Sequence, residues 1–291
     1  MNTLILLLFL GFPGESFSYG YLLIPFGTDG AVFRSALVSD PSSDFSTYYN
    51  PSFGLNSRIA TFFSSYLVGT KYGGILFTPS RDLTAGVLFF SSGEQDEVTY
   101  EGVKVGTYSS TYMALFAGKV LPLDYFGKRA ISGFSGKLLY QSIADRKSLA
   151  VAIDAGGHIP VNEKILIGAS IRNLGVEVKR FYEKAYFPPP SISVGGRVRI
   201  SGKFQLLFST GFEVTYGPVF DAGLKVTPLD LLVVEAGYSL KGRELNTGSN
   251  LDILNGFATG ITLKVKNLRV SYSVLPMGEL GLTHYIGVVY R

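Results

Sequence analysis

The sequence predicts an all-β fold: a transmembrane antiparallel β-barrel of about fourteen strands behind an N-terminal plug or cap segment. The first observation is compositional. Of the 291 residues 16% are charged, against about 25% in ordinary soluble domains, and 46% are hydrophobic. Mean hydropathy is +0.27. No internal run reaches the roughly 18 apolar residues that a membrane helix needs, so the apolar side chains are dispersed rather than gathered in blocks. The second observation is a period of two. In FPPPSISVGGRVRI (187–200), Ile192, Val194, Val198 and Ile200 share one face of a strand, and Ser193, Gly195, Arg197 and Arg199 share the other. The third is that long and short connections alternate, as expected for a barrel with short periplasmic turns and longer outside loops.

Taken in chain order, residues 1–18 read as a signal peptide. Leu4 to Leu10 form a short apolar core, and Ser16-Phe17-Ser18 supply small residues before Tyr19, although Met1-Asn2-Thr3 carries no Lys or Arg. Residues 19–57 are mixed in character, with Asp29, Asp40 and Asp44 ahead of a Tyr48-Tyr49-Asn50-Pro51-Ser52 cluster. They read as a short helical or irregular segment that caps or plugs the lumen; their composition equally suits a flexible leader. Residues 58–291 read as the barrel, with strands near 58–65, 71–79, 83–91, 107–120, 131–142, 148–158, 165–173, 191–200, 204–215, 219–226, 231–240, 256–265, 268–274 and 281–290. Long connections fall at 92–106, 174–190 and 241–255 on one side. Short ones fall at Arg81-Asp82, Ser201 to Lys203, Thr227 to Asp230 and Lys266-Asn267 on the other, where 121–130 and 159–164 are longer than the pattern requires.

On the lipid face a Lys or Arg at the bilayer midplane costs roughly 2–4 kcal/mol, whereas in the lumen it can meet water or an opposite charge. Lys137, Asp154, Arg172, Arg197, Arg199, Glu213 and Glu235, all on polar strand faces, are therefore assigned to the lumen, as are Lys225 and Lys264. Catalytic chemistry has little to build on. The chain has two histidines, His158 and His284, and no Cys, which excludes disulfides, thiolate metal sites and a cysteine nucleophile. No phosphate-binding loop or nucleophile elbow occurs, and scattered carboxylates at no diagnostic spacing give no metal site. The sequence calls for no cofactor and describes no enzyme. The net charge of +4 is spread thinly, so nucleic acid is not an expected partner. The acidic run Glu94, Asp96, Glu97 and Glu101 reads as a solvated outside loop. Phe181, Tyr182, Tyr186 and Phe187, beside Pro188-Pro189-Pro190, form a proline-stiffened hairpin at the mouth. They are candidates either for contact with a partner or for the aromatic girdle at the membrane interface.

Several segments carry a family resemblance. DFSTYYNPSFGL (44–55) resembles the Asp … Asn-Pro-Ala-Gly-Leu element near the mature N-terminus of PorV/PorQ outer-membrane proteins, with Asp44, Asn50, Pro51 and Ser52 at the motif positions. Ser52 stands where that family has Ala, and Phe53 interrupts the Ala-Gly step. Gly136-Lys137, SLAVAIDAGGHI (148–159), IGASIRNLGVEVKRF (167–181) and FPPPSISVG (187–195) follow in the family's order, and GELGLTHYIGVVYR (278–291) is similar to its final strand. The family is similar in turn to FadL-type barrels. The resemblance implies a barrel in the lipids of the outer membrane that serves type IX protein secretion, with a large translocon barrel and secreted cargo as partners. The alternative is a FadL-like transporter of hydrophobic small molecules, followed by a passive porin and, last, an outer-membrane hydrolase.

Overall fold

The structure, a computed structural model, describes residues 18–291 apart from 55, 56, 67, 68, 81, 126, 127, 182, 184 and 249, and gives main chain alone for 123–125, 128, 129, 250 and 251. Nearly all of the expected signal peptide, and Tyr182, lie outside the described residues.

Fourteen antiparallel strands among the described residues close into one barrel. They are β1 (Ile59–Ser65), β2 (Lys71–Ser80), β3 (Leu83–Val98), β4 (Lys104–Tyr125), β5 (Lys128–Ile143), β6 (Arg146–Pro160), β7 (Ile165–Lys179), β8 (Ser191–Arg199), β9 (Phe204–Glu213), β10 (Gly217–Leu229), β11 (Leu232–Ser239), β12 (Phe257–Val265), β13 (Leu268–Pro276) and β14 (Leu282–Tyr290). Each strand pairs with its neighbours in sequence, and β1 closes on β14 in a register running from Ile59↔Tyr290 to Ser65↔His284. Closure leaves no sheet edge, so the backbone polar groups within the wall find partners inside it, as a membrane-spanning sheet requires. Along β14 burial alternates residue by residue. The same alternation in β8 turns Ile192, Val194 and Val198 outward and buries Arg197, which is 7% exposed. Ile75, Leu115, Ile167, Phe208, Ile261 and Ile286 are among the many large apolar side chains on the outside. They form a lipid-facing surface that water would not tolerate at this extent.

Two regions expected as connections are strand instead. Residues 92–98 and 104–106 continue β3 and β4 as a two-stranded arm paired from Glu94↔Ser109 to Val98↔Lys104, past a register shift where Gly93 takes φ 68°. Val98, Val103, Val105 and Tyr108 favour strand there, although the acidic run makes the segment look like loop. The stretch 121–130 likewise belongs to β4 and β5, paired as far as Tyr125↔Lys128. At the other rim β7 runs on to Lys179, which shortens the connection before β8.

Candidate functional site

Residues 18–54 lie inside the barrel and most of them are buried. The chain starts at the long-loop rim, where Ser18 N donates to Phe187 O at 3.1 Å. It descends through a 3-10 turn (Gly20–Leu23), a short helix (Thr28–Phe33), a second 3-10 turn (Arg34–Ser39) and a last helical turn (Ser46–Tyr49), and reaches β1 at the short-turn end. These pieces are too short to be stable alone; the barrel wall holds them. The wall admits them because it presents glycine where the plug touches. A Cβ at Gly133 would strike Pro51 O, one at Gly156 Asn50 Oδ1, one at Gly168 Val38 O, and one at Gly237 Val32 O.

The motif residues separate into two groups. Asn50 ties the plug to itself and to β6: its Nδ2 donates to Val38 O at 2.8 Å and to Gly157 O at 3.1 Å, while its Oδ1 accepts from Ser52 Oγ at 2.7 Å and from Ser52 N at 3.1 Å. Ser52 Oγ also lies 2.8 Å from His158 Nδ1, beneath the ring of Phe53. His158 is thus a structural partner of the motif. His284 sits on the outer side with Tyr272 Oη 2.7 Å from its Nδ1. Asp44 is far from this group and accepts from Arg269 of β13 at 2.7 Å.

The lumen has two unlike walls. Strands β5 to β13 carry the charges. Lys225 Nζ lies 2.8 Å from Asp40 and 3.2 Å from Glu235, and Arg197 reaches Asp40 at 3.9 Å. Lys137 contacts Asp154 and Asn173 Oδ1, both at 2.7 Å, and Asn173 N donates to Asp154 at 2.8 Å. Arg172 stands over the rings of Tyr48 and Tyr49 at 5.7 and 5.1 Å, and Glu213 pairs with Lys241 at 2.7 Å. Of the charges assigned to the lumen, Lys137, Asp154, Arg172, Arg197, Glu213 and Glu235 are buried, while Arg199 is exposed at the inner mouth. Sequence reasoning missed Asp221, which holds Ser35 of the plug through its N–H and hydroxyl, and Asn173. Asp221 shares its inward face with Lys225, so its spacing carried the signal. Asn173 adopts φ 60°, a conformation Asn tolerates better than most residues, at an irregularity in the β6–β7 pairing.

Burial alone would raise the Asp40 carboxyl, but the Lys225 charge and hydrogen bonds from Lys225 and Ser42 outweigh it and hold Asp40 below the ordinary carboxylate value. At Asp44 burial wins against Arg269 and, with the charge of Asp29 acting the same way, raises the carboxyl to about 6.

Strands β14 and β1 to β4 make the other wall, which among the described residues buries no charge. Tyr66, Phe90 and Tyr112 begin a run of rings near the outer rim, with Tyr72 and Phe62 below them, at successive centroid spacings of 5.3–6.4 Å. Rings of the plug lie against this surface. Tyr21 stacks on Tyr112 at 5.3 Å, Phe26 packs edge-on to Phe62 at 4.8 Å, Tyr48 stacks on Phe26 at 4.3 Å, and Phe45 meets Phe62 at 5.6 Å.

The connection before β8 folds inward. Pro188 to Pro190 are buried, Asn173 Nδ2 donates to Pro189 O at 3.2 Å, and Tyr186 N donates to Glu177 at 2.9 Å. Phe181, Tyr186 and Phe187 are half-buried. Two cavities flank the plug: one of about 120 Å³ at the outer rim, lined by Leu23, Ile24, Tyr66 and Met277 among others, and one of about 460 Å³ at the inner mouth.

No family model and no curated protein sequence matches the chain. Solved structures do match. The Pseudomonas putida toluene transporter TodX is 11% identical over 91% of this chain and 96% of that one, with a TM-score of 0.53. A TodX deletion mutant described as a monoaromatic hydrocarbon channel reaches a TM-score of 0.58 at 11% identity, over 91% and 97%. A Pseudomonas aeruginosa FadL homologue gives 0.51 at 9% identity, over 91% and 98%. The secretion role and the PorV/PorQ resemblance gain no support from these comparisons. With its closed wall, lipid-facing exterior and these similarities, the chain is a multi-pass β-barrel of the outer membrane with the fold of the FadL-type barrels.

Proposed function

We propose that the protein passes hydrophobic small molecules across the outer membrane along the aromatic side of its lumen. The observation that carries this reading is the uncharged wall of β14 and β1 to β4, whose rings run from Tyr66, Phe90 and Tyr112 at the outer rim to Phe62, with Phe45 of the plug beyond. Tyr21, Phe26 and Tyr48 occupy that surface in the closed state. Rings packed edge-on or offset give way to another apolar body at small cost, because dispersion contacts are exchanged for similar ones. The charged wall plays the other part and anchors the plug. Similar structures named as a toluene transporter and a hydrocarbon channel support the same reading over the secretion role.

The test is uptake of radiolabelled toluene and of a long-chain fatty acid by cells in which this is the sole barrel of its fold. The barrel should accelerate entry of at least one of them. Phe90→Glu with Tyr112→Glu should lower that entry by about tenfold or more while the barrel stays heat-modifiable on gels, since a charge there must be desolvated or must displace the apolar permeant. Equal entry with and without the barrel refutes transport. Unimpaired entry through the double variant refutes the aromatic route.

A further inference from the structure

The inner-mouth cavity is lined by more cations than its carboxylates match. Lys225 and Arg269 are neutralised by Asp40, Glu235 and Asp44. Arg199, Lys264 and Arg291 have no ion-pair partner among the described residues, and Asp29 is the one lining side-chain carboxylate outside an ion pair. Arg197, 7% exposed, touches Asp40 only at 3.9 Å, and its buried Nε has no acceptor. A buried guanidinium N–H without a partner is costly, and like charges held together in a low-dielectric cleft draw in an anion. Arg197 feels Arg199 as well as Asp40, and Lys264 feels Arg269 and Lys225 as well as Asp230 and Glu235. The rest of the lining is not all polar: Phe45, Val233 and Val289 give it an apolar side, and Phe45 is the innermost ring packed on Phe62. At about 460 Å³ the cavity has the size of a small-molecule site.

We propose that this basin binds a small aromatic anion, an aryl carboxylate or sulfonate, with the anionic group on Arg197, Arg199 and Lys264 and the ring against Phe45 and Val289. It deepens the transport reading by giving the aromatic path an inner station that recognises a charged, ring-bearing permeant. Guanidinium groups suit a carboxylate because their N–H donors match its two oxygens.

The experiment is titration of the full-length barrel in nonionic detergent with benzoate, read by saturation-transfer NMR, with benzyl alcohol read in the same way and inorganic phosphate read by its displacement of benzoate. Saturable benzoate binding is expected, with benzyl alcohol and phosphate each at least about tenfold weaker, the change that one lost charge-assisted or apolar contact of about 1.4 kcal/mol gives. Arg199→Gln with Lys264→Gln should raise the benzoate Kd by about tenfold or more, whereas Lys266→Gln, on the exposed turn outside the cavity, should leave it within about twofold. Phosphate binding as tightly as benzoate, or an equal loss in Lys266→Gln, overturns the proposal. If wild-type barrel admits toluene yet shows no saturable benzoate binding, the basin falls and the passage stands. Benzoate binding with these losses, in a barrel that admits neither toluene nor fatty acid, supports the basin and removes the passage.

Discussion

Replacing Lys225 with methionine asks whether buried charge holds the plug. Lys225 Nζ sits 2.8 Å from Asp40 of the plug and 3.2 Å from Glu235 of the wall, and all three side chains are under 10% exposed. Methionine keeps much of the volume and removes the cation, which leaves Glu235 without an ion pair and Asp40 with Arg197 alone at 3.9 Å. Removing one partner of a buried ion pair costs about 3–5 kcal/mol. The hydrogen-bonded wall has no cheap way to relieve that cost; the plug has one, because displacing 34–46 returns Asp40 to water. The closed state should therefore lose about 3–5 kcal/mol relative to the displaced one, a change of about a hundredfold to a few thousandfold in the equilibrium. Hydrogen exchange of the peptide covering 34–46 reads this directly, with conductance in planar bilayers as a second measure. The triple variant Lys225→Met, Asp40→Asn, Glu235→Gln should recover part of the protection, since both buried carboxylates are gone and only Arg197, 3.9 Å from Asp40 in the wild type, loses a partner. If Lys225→Met folds to a heat-modifiable barrel with wild-type exchange and conductance, the plug is not held by this network.

Two further outcomes are expected. Val194→Arg, which puts a cation on the lipid face midway along β8, should impair assembly by about 2–4 kcal/mol, whereas Arg197→Gln should assemble normally; heat-modifiability reports both, and the opposite ranking would mean a register one residue out. A carboxyl raised to about 6 in the folded state contributes stability that is present in full below its unfolded value and is lost as pH rises through about 6. Wild-type plug protection should thus fall between about pH 4 and pH 7 relative to Asp44→Asn. The low-lying Asp40 acts only below that window, and a wild-type profile parallel to that of the variant would remove Asp44 as the cause.

The barrel was legible because strands with one lipid face leave a period of two that survives in any single strand. β13, read as 268–274, runs Leu268–Pro276. The arm of β3 and β4 was hidden, since outside the bilayer nothing demands alternation and its acidic residues resemble a loop. The facing of Arg197 follows from its neighbours in β8, but its partner Asp40 lies in the plug, and no local pattern connects them. The aromatic wall was invisible for a related reason. Phe62 and Phe116 turn inward while Phe208 and Phe220 turn outward, and composition counts all four alike. Only closure of the sheet sorts them, and gathers the inward rings onto neighbouring strands.

The ion pairs of the plug also bear on how the chain folds. Asp40 and Lys225 are 185 positions apart, and Asp44 and Arg269 are 225 apart. The plug segment thus lacks its full set of charge partners until β8, β10 and β13 are in place. Contacts of such separation form late, because the entropy of closing the intervening chain is lost before any contact rewards it. Asp40 and Asp44 must therefore stay hydrated until the β1–β14 seam zips. Plug docking and seam closure are then one slow event, and a chain stalled before β13 would carry an open sheet with the plug segment still in water.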